Sequence, residues 1–238
     1  MTEPERSVLP LFPLGTVLFP GLVLPLRIFE ERYRELVRSL MEEPDAGRRV
    51  FGVVAIRRGW EVSQRADELD LYEVGCTAQV RTVNEHPDGS FDIVTVGRRR
   101  FTIHELVDGP THYARASVTL LPEPAGEDGE ADALGPRVLA RFRAYLRAFR
   151  AGSATGENDS TAHIEEEQLP DDPLRLSHLV AATASLSVAD RQALLAAPDT
   201  ATRLREELRL LQLETWLLTQ IRAVPATLAD LTVRPGPN

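Results

Sequence analysis

The chain has 238 residues, 43% hydrophobic and 26% charged, which is enough to bury one large core or two small ones. Its formal net charge is -9, a balance that repels nucleic acid and anionic membranes in general. All 27 basic residues are arginine, so there is no lysine for a phosphate-binding P-loop, a Ser-Lys protease dyad or a Schiff-base enzyme.

The cysteine count and the opening segment bear on the cellular compartment. The single cysteine, Cys76, excludes an internal disulfide and a thiolate zinc cage, which favours a reducing environment. Segment 7–26 is uncharged for 20 residues, about the length that spans a bilayer. Its four prolines break helical geometry, and no basic stretch precedes it as in a signal peptide. We therefore expect a cytoplasmic protein without a membrane partner.

Up to about residue 121, short apolar runs alternate with proline and glycine, which is typical of β-structure. Each early proline is expected at a strand start or a sheet edge, and the Asp88-Gly89 step predicts a tight hairpin. One helix is predicted over residues 29–41 from the helical spacing of apolar residues. Strands are predicted over residues 16–18, 22–26, 50–57, 71–83, 91–96, 100–107 and 113–121. Six or seven strands favour a closed or nearly closed barrel.

The composition changes after Leu121. Segment 122–136 holds five acidic residues and no arginine, which is typical of a solvated linker. Two leucine stripes on the last predicted helix indicate that neighbours cover it on two sides. Ser187 is expected to cap the helix that follows it. Helices are predicted over residues 138–150, 173–186, 188–196 and 201–224, which makes the fold α+β. The predicted division is a β-barrel with one inserted helix (1–122), an acidic linker (123–135), a helical bundle (136–225) and a flexible tail (226–238).

No group of side chains has the spacing of a catalytic or metal site. The five histidines include no pair four residues apart with a glutamate between them, which is the zinc-hydrolase helix signature. A metal held by His104 and His112 would need a third ligand that the sequence does not identify. Cys76, His104 and Ser177 are the candidates for a cryptic hydrolase, but none has the context of an activated nucleophile. We expect no catalytic residue, no metal and no cofactor.

Arg98, Arg99 and Arg100 form the one concentrated basic feature, at a predicted turn between two strands and next to Phe101. Such a triplet beside an aromatic ring could bind an anionic ligand and stack a nucleic-acid base. It could instead discourage strand-edge pairing and form surface ion pairs in an acidic protein. Both interpretations are open at the level of sequence.

Several motifs occur in a characteristic order. The opening contains PLFPL at 10–14, VLFPG at 17–21, LPLRIFE at 24–30 and RY at 32–33. They are followed by YEVGCTAQV at 72–80, VGRRRFTI at 96–103 and DRQALLAAPDTATRLREELRLLQLE at 190–214. In this order the chain resembles the amino-terminal substrate-binding domain of Lon-type ATP-dependent proteases, and specifically the stand-alone bacterial proteins that consist of this domain. The resemblance covers nearly the whole chain and implies a PUA-like β-barrel followed by a helical bundle.

The resemblance implies a binding role, in which the protein engages unfolded or damaged polypeptides and acts as a non-enzymatic adaptor for a protease in protein quality control. Such a binder needs an exposed apolar patch, a strand edge or a groove, which we expect at the junction of the barrel and the bundle. Trp60 is expected to be the most exposed aromatic, while several others fit the core equally well. The candidate polypeptide contacts are Phe12, Phe19, Phe29, Tyr33, Trp60 and Phe101.

Two alternatives stay open. One is an RNA-binding PUA-like module that uses Arg98 to Arg100, which the net charge of -9 disfavours. The other is a small-molecule binder or a cryptic hydrolase. The sequence is compatible with a monomer and with a dimer.

Overall fold

The computed structural model describes residues 5–58, 70–152 and 169–223, and it leaves the side chains of residues 152 and 221–223 undescribed. The strands of this part are β1 (Arg6–Leu14), β2 (Val23–Ile28), β3 (Val50–Arg58), β4 (Asp70–Leu71), β5 (Val74–Glu85), β6 (Phe91–Leu106) and β7 (Arg115–Leu120). The α-helices are α1 (Glu31–Glu42), α2 (Glu130–Gly152), α3 (Pro173–Thr183), α4 (Val188–Ala196) and α5 (Thr200–Ala223). A single 3-10 turn, Ala46–Arg48, precedes β3.

Five strands close into a barrel in the order β1-β7-β6-β5-β3, and β3 pairs with β1 to complete the ring. The β1–β3 pairing is parallel, and the other pairings of the ring are antiparallel. β2 lies against β6 and β4 against β3, outside the ring. Closure removes the unpaired edges that an open sheet would present. The predicted α+β class and the closed barrel are therefore confirmed.

The opening strand lies earlier than predicted. Residues 16–18 connect β1 to β2 and are not a strand, while β1 itself contains Pro10 and Pro13. β1 is in register with β7 over residues 6–10 and with β3 over residues 11–14. Each half of β1 therefore pairs in register with only one neighbouring strand. Because one side of each half needs no ladder hydrogen bonds, β1 tolerates prolines, which lack an N–H donor. Pro25 fits the expected edge position, since β2 pairs only with β6 in the described part of the chain.

β6 is one continuous strand of 16 residues, where the sequence predicted two strands and a turn. The hairpin that leads into it is confirmed: Gly89 has φ +76°, and the amide of His86 donates to the carbonyl of Ser90 at 2.8 Å. Further along, the register passes from the Ala78–Gly97 pair to the Cys76–Arg100 pair. Two residues of β6 therefore lie opposite one residue of β5, which is a β-bulge.

Thr77 stabilises this bulge from the opposite strand. Its Oγ1 accepts a hydrogen bond from the Arg99 amide at 2.9 Å and donates one to the Arg99 carbonyl at 3.1 Å. The arginine triplet thus lies inside a strand, at a bulge, and not at a turn.

The helices follow the predicted pattern with one shift. α2 begins at Glu130, so part of the predicted linker is helical and Pro136 lies inside the helix. The acidic residues that indicated a solvated linker include Glu130 and Asp132, which lie in the first turn, where the helix dipole favours negative charge. The Ser187 cap is confirmed, since its Oγ accepts from the Asp190 amide at 3.1 Å.

Two apolar clusters position the helices. Helices α2, α3 and α5 share a core that includes Phe142, Tyr145 and Leu146. Helix α4 faces the barrel, because Leu194 and Leu195 pack in one cluster with Phe19 and other barrel-side residues. In the described ranges, no helix has both the length and the apolar character needed to cross a bilayer.

Candidate functional site

The aromatic residues proposed as polypeptide contacts divide between the core and the surface. Phe29, between β2 and α1, is 65% exposed. Trp60 lies outside the described residues. The other four are buried, namely Phe12, Phe19, Tyr33 and Phe101. A buried ring has no surface to offer a ligand, so these four residues pack the core. The interpretation as core residues is correct for Phe19 and Tyr33 and wrong for Phe29.

Each buried ring has an identifiable packing role. Phe12 stacks on Tyr33 with ring centroids 3.9 Å apart, which fixes α1 against the barrel. Phe101 lies inside the barrel, where a β-carbon at Gly52 would come within 2.8 Å of its Cζ. Phe19 joins the cluster that connects the barrel to α4. The aromatic character of the motifs therefore reflects how the barrel is filled and how the helices attach to it.

The arginine triplet does not form one patch. Arg98 and Arg99 are exposed, whereas Arg100 is 1% exposed. The Arg100 guanidinium donates to Glu123 at 2.6 Å and to the carbonyls of Leu195 and Ala197 at 2.6 and 2.7 Å. Successive side chains of a strand point to opposite faces, so Arg100 turns away from Arg99 toward the helices. The predicted anionic-ligand patch is thereby reduced to two arginines.

The junction of the barrel and the helices, where a groove was expected, is filled by a buried polar cluster. Glu123 accepts from Arg100 and, at 3.5 Å, from Nη2 of Arg203. Arg203 also donates from Nε to the Leu194 carbonyl at 2.9 Å and from Nη1 to Ser177 Oγ at 3.1 Å. The two guanidiniums thus donate to carbonyls at and just after the C-terminal end of α4, where the helix dipole favours a positive charge.

The cluster also holds a neutral histidine. Burial lowers the pKa of His178 to about 3, and the positive charges of Arg203 and Arg100 contribute in the same direction. Its Nε2 lies 3.8 Å from Glu123 Oε2, beyond hydrogen-bonding distance. His178 is therefore uncharged at neutral pH.

The positions of the three residues considered for a cryptic hydrolase do not suit catalysis. Burial raises the pKa of the Cys76 thiol to about 12, so the nucleophilic thiolate is not available at neutral pH. Ser177 is buried, and its hydroxyl donates to the Leu174 carbonyl at 2.9 Å. His104 is on another element, β6, with Nε2 2.8 Å from Thr119 Oγ1. Among the described side chains, no three His, Cys, Asp or Glu residues are arranged to hold a metal ion.

An apolar surface lies on the second half of α5. Leu213, Trp216 and Leu217 are 44%, 56% and 37% exposed. They are spaced i, i+3 and i+4, so they are neighbours on one helix face, which we call the α5 patch. A cavity of about 590 Å³ adjoins it and is lined in part by Leu213, Trp216 and Arg141 of α2.

The prediction that neighbours cover α5 on two sides is correct for its first half, where Leu204, Leu210 and Leu211 are buried, and wrong for its second half. The reason is length, because α3 and α4 have 11 and 9 residues against 24 in α5. Trp216 was not singled out from the sequence, although its absence from both leucine stripes is a signal for exposure.

A second cavity, of about 400 Å³, lies at one end of the barrel. All five strands of the ring contribute to its lining, and it includes Arg98 and Arg99. The two exposed arginines of the triplet are therefore part of a concave site and not of a flat strand surface.

Comparison with known proteins gives a consistent result. Residues 8–212 match the family described as the ATP-dependent protease La (LON) substrate-binding domain. Lon protease 2 of Myxococcus xanthus is 30% identical over 213 residues, which cover 88% of this chain and 24% of that protein. Lon protease 1 of Herpetosiphon aurantiacus is 28% identical over 225 residues, which cover 92% of this chain and 26% of that protein. The chain thus spans about a quarter of the length of these relatives.

Two solved structures share the fold. The N-terminal domain of the Lon protease of the Mycobacterium avium complex aligns with a TM-score of 0.58 at 21% identity, covering 88% of this chain and 98% of that one. The Lon N-terminal domain protein from Xanthomonas campestris aligns with a TM-score of 0.53 at 24% identity, covering 85% of this chain and 98% of that one. At these identities the likeness concerns the fold alone.

Proposed function

The chain belongs to the family of ATP-dependent protease La (LON) substrate-binding domains, and we propose that it binds unfolded or damaged polypeptides without catalysing a reaction. The resemblance read from the sequence motifs is thereby confirmed at the level of the family. The observation that carries the proposal is the α5 patch, an apolar surface with an adjoining cavity in a member of a substrate-binding family.

The chemistry of the α5 patch suits an extended apolar segment. A contiguous exposed apolar surface marks an interaction site more often than scattered apolar residues do. Trp216 offers a large flat ring, and tryptophan is among the residues that dominate binding energy at interfaces. Arg141, which is exposed at the same cavity, can donate to backbone carbonyls of a bound chain. Phe29 is exposed on its own beside β2, and we propose it as a secondary contact.

The remaining features of the proposal rest on the site chemistry. A non-catalytic role is supported by the buried Cys76 thiol, the hydrogen-bonded Ser177 hydroxyl and the absence of lysine from the sequence. We place the protein in the cytoplasm, as an adaptor that presents polypeptides to a protease. We also propose that the barrel is of the PUA-like type and that the helices after it form a bundle.

The test is a fluorescence-anisotropy titration with a labelled, permanently unfolded polypeptide. We expect saturable binding that changes little with salt, because apolar contacts are not screened. Replacing Trp216 by alanine should weaken binding by about tenfold, a typical loss for a central interface aromatic. Val23→Ala is the control, since Val23 is 61% exposed, close to the 56% of Trp216, but lies on β2.

Each result has a distinct meaning. If the unmodified protein does not bind the unfolded polypeptide, the proposed function is wrong. If Trp216→Ala binds as well as Val23→Ala, the function stands but the site is elsewhere. If Trp216→Ala instead halves the mass measured by light scattering and leaves polypeptide binding unchanged, the α5 patch joins two copies of the chain.

A further inference from the structure

We propose that the open end of the barrel binds the carboxyl terminus of a polypeptide whose last residue is apolar. This inference rests on the proposed function and names the part of the polypeptide that a second site recognises. We call this site the barrel mouth; it is the cavity of about 400 Å³ that Arg98 and Arg99 border.

The strand register shows that the barrel mouth opens into the barrel interior at one end of the ring. Paired residues of a β-ladder point to the same face of the sheet. Gly52 points inward, because a β-carbon there would meet the side chains of Leu9, Leu11 and Phe101. The inward face toward this end includes the registered pairs Gly52–Thr77, Val50–Gln79 and Ser7–Val118. Barrel mouths are a common position for ligand sites, and this volume lies in the usual range of about 300–1,000 Å³.

The floor and walls of the barrel mouth are apolar. Phe101 and Leu11 are fully buried below it and close the barrel interior. Its walls include the aliphatic side chains of Leu9, Val50, Val118 and Leu120. An apolar side chain that enters would lose its contact with water without giving up a hydrogen bond.

The rim of the barrel mouth is cationic. Within the described residues, no carboxylate pairs with the guanidinium of Arg98 or Arg99, and neither guanidinium makes a hydrogen bond. Two adjacent free guanidiniums are a local exception in a chain with net charge -9. The β-bulge brings both to the rim, and Thr77 holds the backbone of Arg99 there. Guanidinium groups match the geometry of a carboxylate.

Gln79 adds an acceptor. Its Nε2 donates to the carbonyls of Ala46 and Gly47 at 3.4 and 3.3 Å, which fixes the orientation of the amide. Its Oε1 is buried and has no partner among the described groups. Buried polar atoms are normally hydrogen-bonded, and Gln79 lines the cavity, so a small outward shift of this side chain would let the oxygen accept a donor that arrives with a ligand.

One chemical group supplies all three features. The last residue of a polypeptide carries a carboxylate for Arg98 and Arg99, an apolar side chain for the walls, and a backbone N–H for Gln79. An internal segment of a polypeptide lacks the carboxylate. An RNA phosphate would use the rim but not the aliphatic walls, and base stacking needs an exposed aromatic ring, which is absent from the described residues that line the barrel mouth.

The test compares two labelled peptides that differ only at the carboxyl terminus. Both are Gly-Ser-rich, carry fluorescein at the amino terminus and end in Ala-Val-Leu, one as the free acid and the other as the amide. We expect the acid to bind about tenfold more tightly, the usual scale for a charge-assisted hydrogen bond. The double variant Arg98→Gln, Arg99→Gln should abolish this preference, and Ser7→Trp should block the cavity. Arg81→Gln, an exposed arginine of β5 outside the cavity, is the matched control.

The outcomes separate this inference from the proposed function. Equal binding of acid and amide overturns the inference, while binding of the unfolded polypeptide through the α5 patch would still support the function. A preference for the acid that survives both rim substitutions and Ser7→Trp also overturns it. Displacement of the acid by oligouridylate that Ser7→Trp does not alter would assign the rim to phosphate and overturn it as well. All substituted positions line the surface, and a thermal melt confirms that each variant is folded.

Discussion

The Arg100 guanidinium and the Glu123 carboxylate form a 2.6 Å ion pair between β6 and the segment that connects β7 to α2. Arg100 belongs to β6, and the same guanidinium donates to the carbonyls of Leu195 and Ala197 at the end of α4. Arg203 approaches the other oxygen of Glu123 from α5. A residue that looked like part of a surface patch therefore links β6 to the end of α4 and to the segment that connects β7 to α2.

Replacing Arg100 by glutamine should strongly destabilise the protein. The change leaves Glu123 with only its longer contact to Arg203, and it leaves the carbonyls of Pro122, Leu195 and Ala197 without a charged donor. Breaking a buried ion pair costs about 3–5 kcal/mol. Urea denaturation followed by circular dichroism measures the loss. Arg99→Gln is the matched control. Because Arg99 is exposed, this substitution should change the free energy of unfolding by no more than about 0.5 kcal/mol. Equal effects of the two substitutions would contradict the assignment.

Stability should fall as the solution is acidified, in part because of His178. Its pKa in the folded state is about 3, below the ordinary value of 6.5, since burial and then Arg203 and Arg100 disfavour the charged form. The unfolded state therefore takes up the proton first. The contribution of neutral His178 to the free energy of unfolding is fully present above pH 6.5. It is lost as the pH falls from 6.5 to about 3, at about 1.4 kcal/mol per pH unit.

The difference between the pH profiles of the unmodified protein and His178→Gln isolates this contribution from those of the carboxylates. The charged groups around His178 are Arg100, Arg203 and Glu123, and all three are kept in the variant. We expect the two profiles to converge on acidification. Parallel profiles between pH 6.5 and 4 would show that His178 is not held neutral.

Glu207 should reduce stability at neutral pH. Burial raises its pKa well above the ordinary value, although Arg203 acts in the opposite direction, and neither carboxyl oxygen has a hydrogen-bond partner among the described groups. A raised pKa means that its favourable contribution is present below the ordinary value of 4.5 and is lost as the pH rises. Glu207→Met should therefore raise the melting temperature at pH 7, and the gain should shrink toward pH 4. A lower melting temperature at pH 7 would refute this.

Alanine substitution should destabilise the protein strongly at one of the aromatic residues singled out from the sequence and hardly at all at another. Phe101 fills the barrel interior, so Phe101→Ala should cost about 3–5 kcal/mol by creating a cavity. Phe29 is 65% exposed, so Phe29→Ala should change stability by about 0.5 kcal/mol or less. Chemical denaturation of both variants checks the pair. A large loss with Phe29→Ala would show that the ring packs against another part of the chain.

Local patterns in the sequence were enough to predict several helices and turns. The apolar spacing around Tyr33 predicted α1, the Asp88-Gly89 step predicted the β5–β6 hairpin, and Ser187 predicted the start of α4. Each depends on interactions within a few residues, which a sequence displays directly. The number of strands and the ordered motifs were also enough for the closed barrel and the family.

The tertiary structure alone decided which residues of the motifs are accessible. Arg99 and Arg100 are adjacent in sequence, yet one borders a cavity and the other is buried, because a bulge opposite Thr77 and the position of α4 determine where each side chain points. Trp216 is exposed because α3 and α4 are too short to cover the end of α5. Burial depends on partners that are distant in sequence, so composition and periodicity determined the elements and only their packing determined the surface.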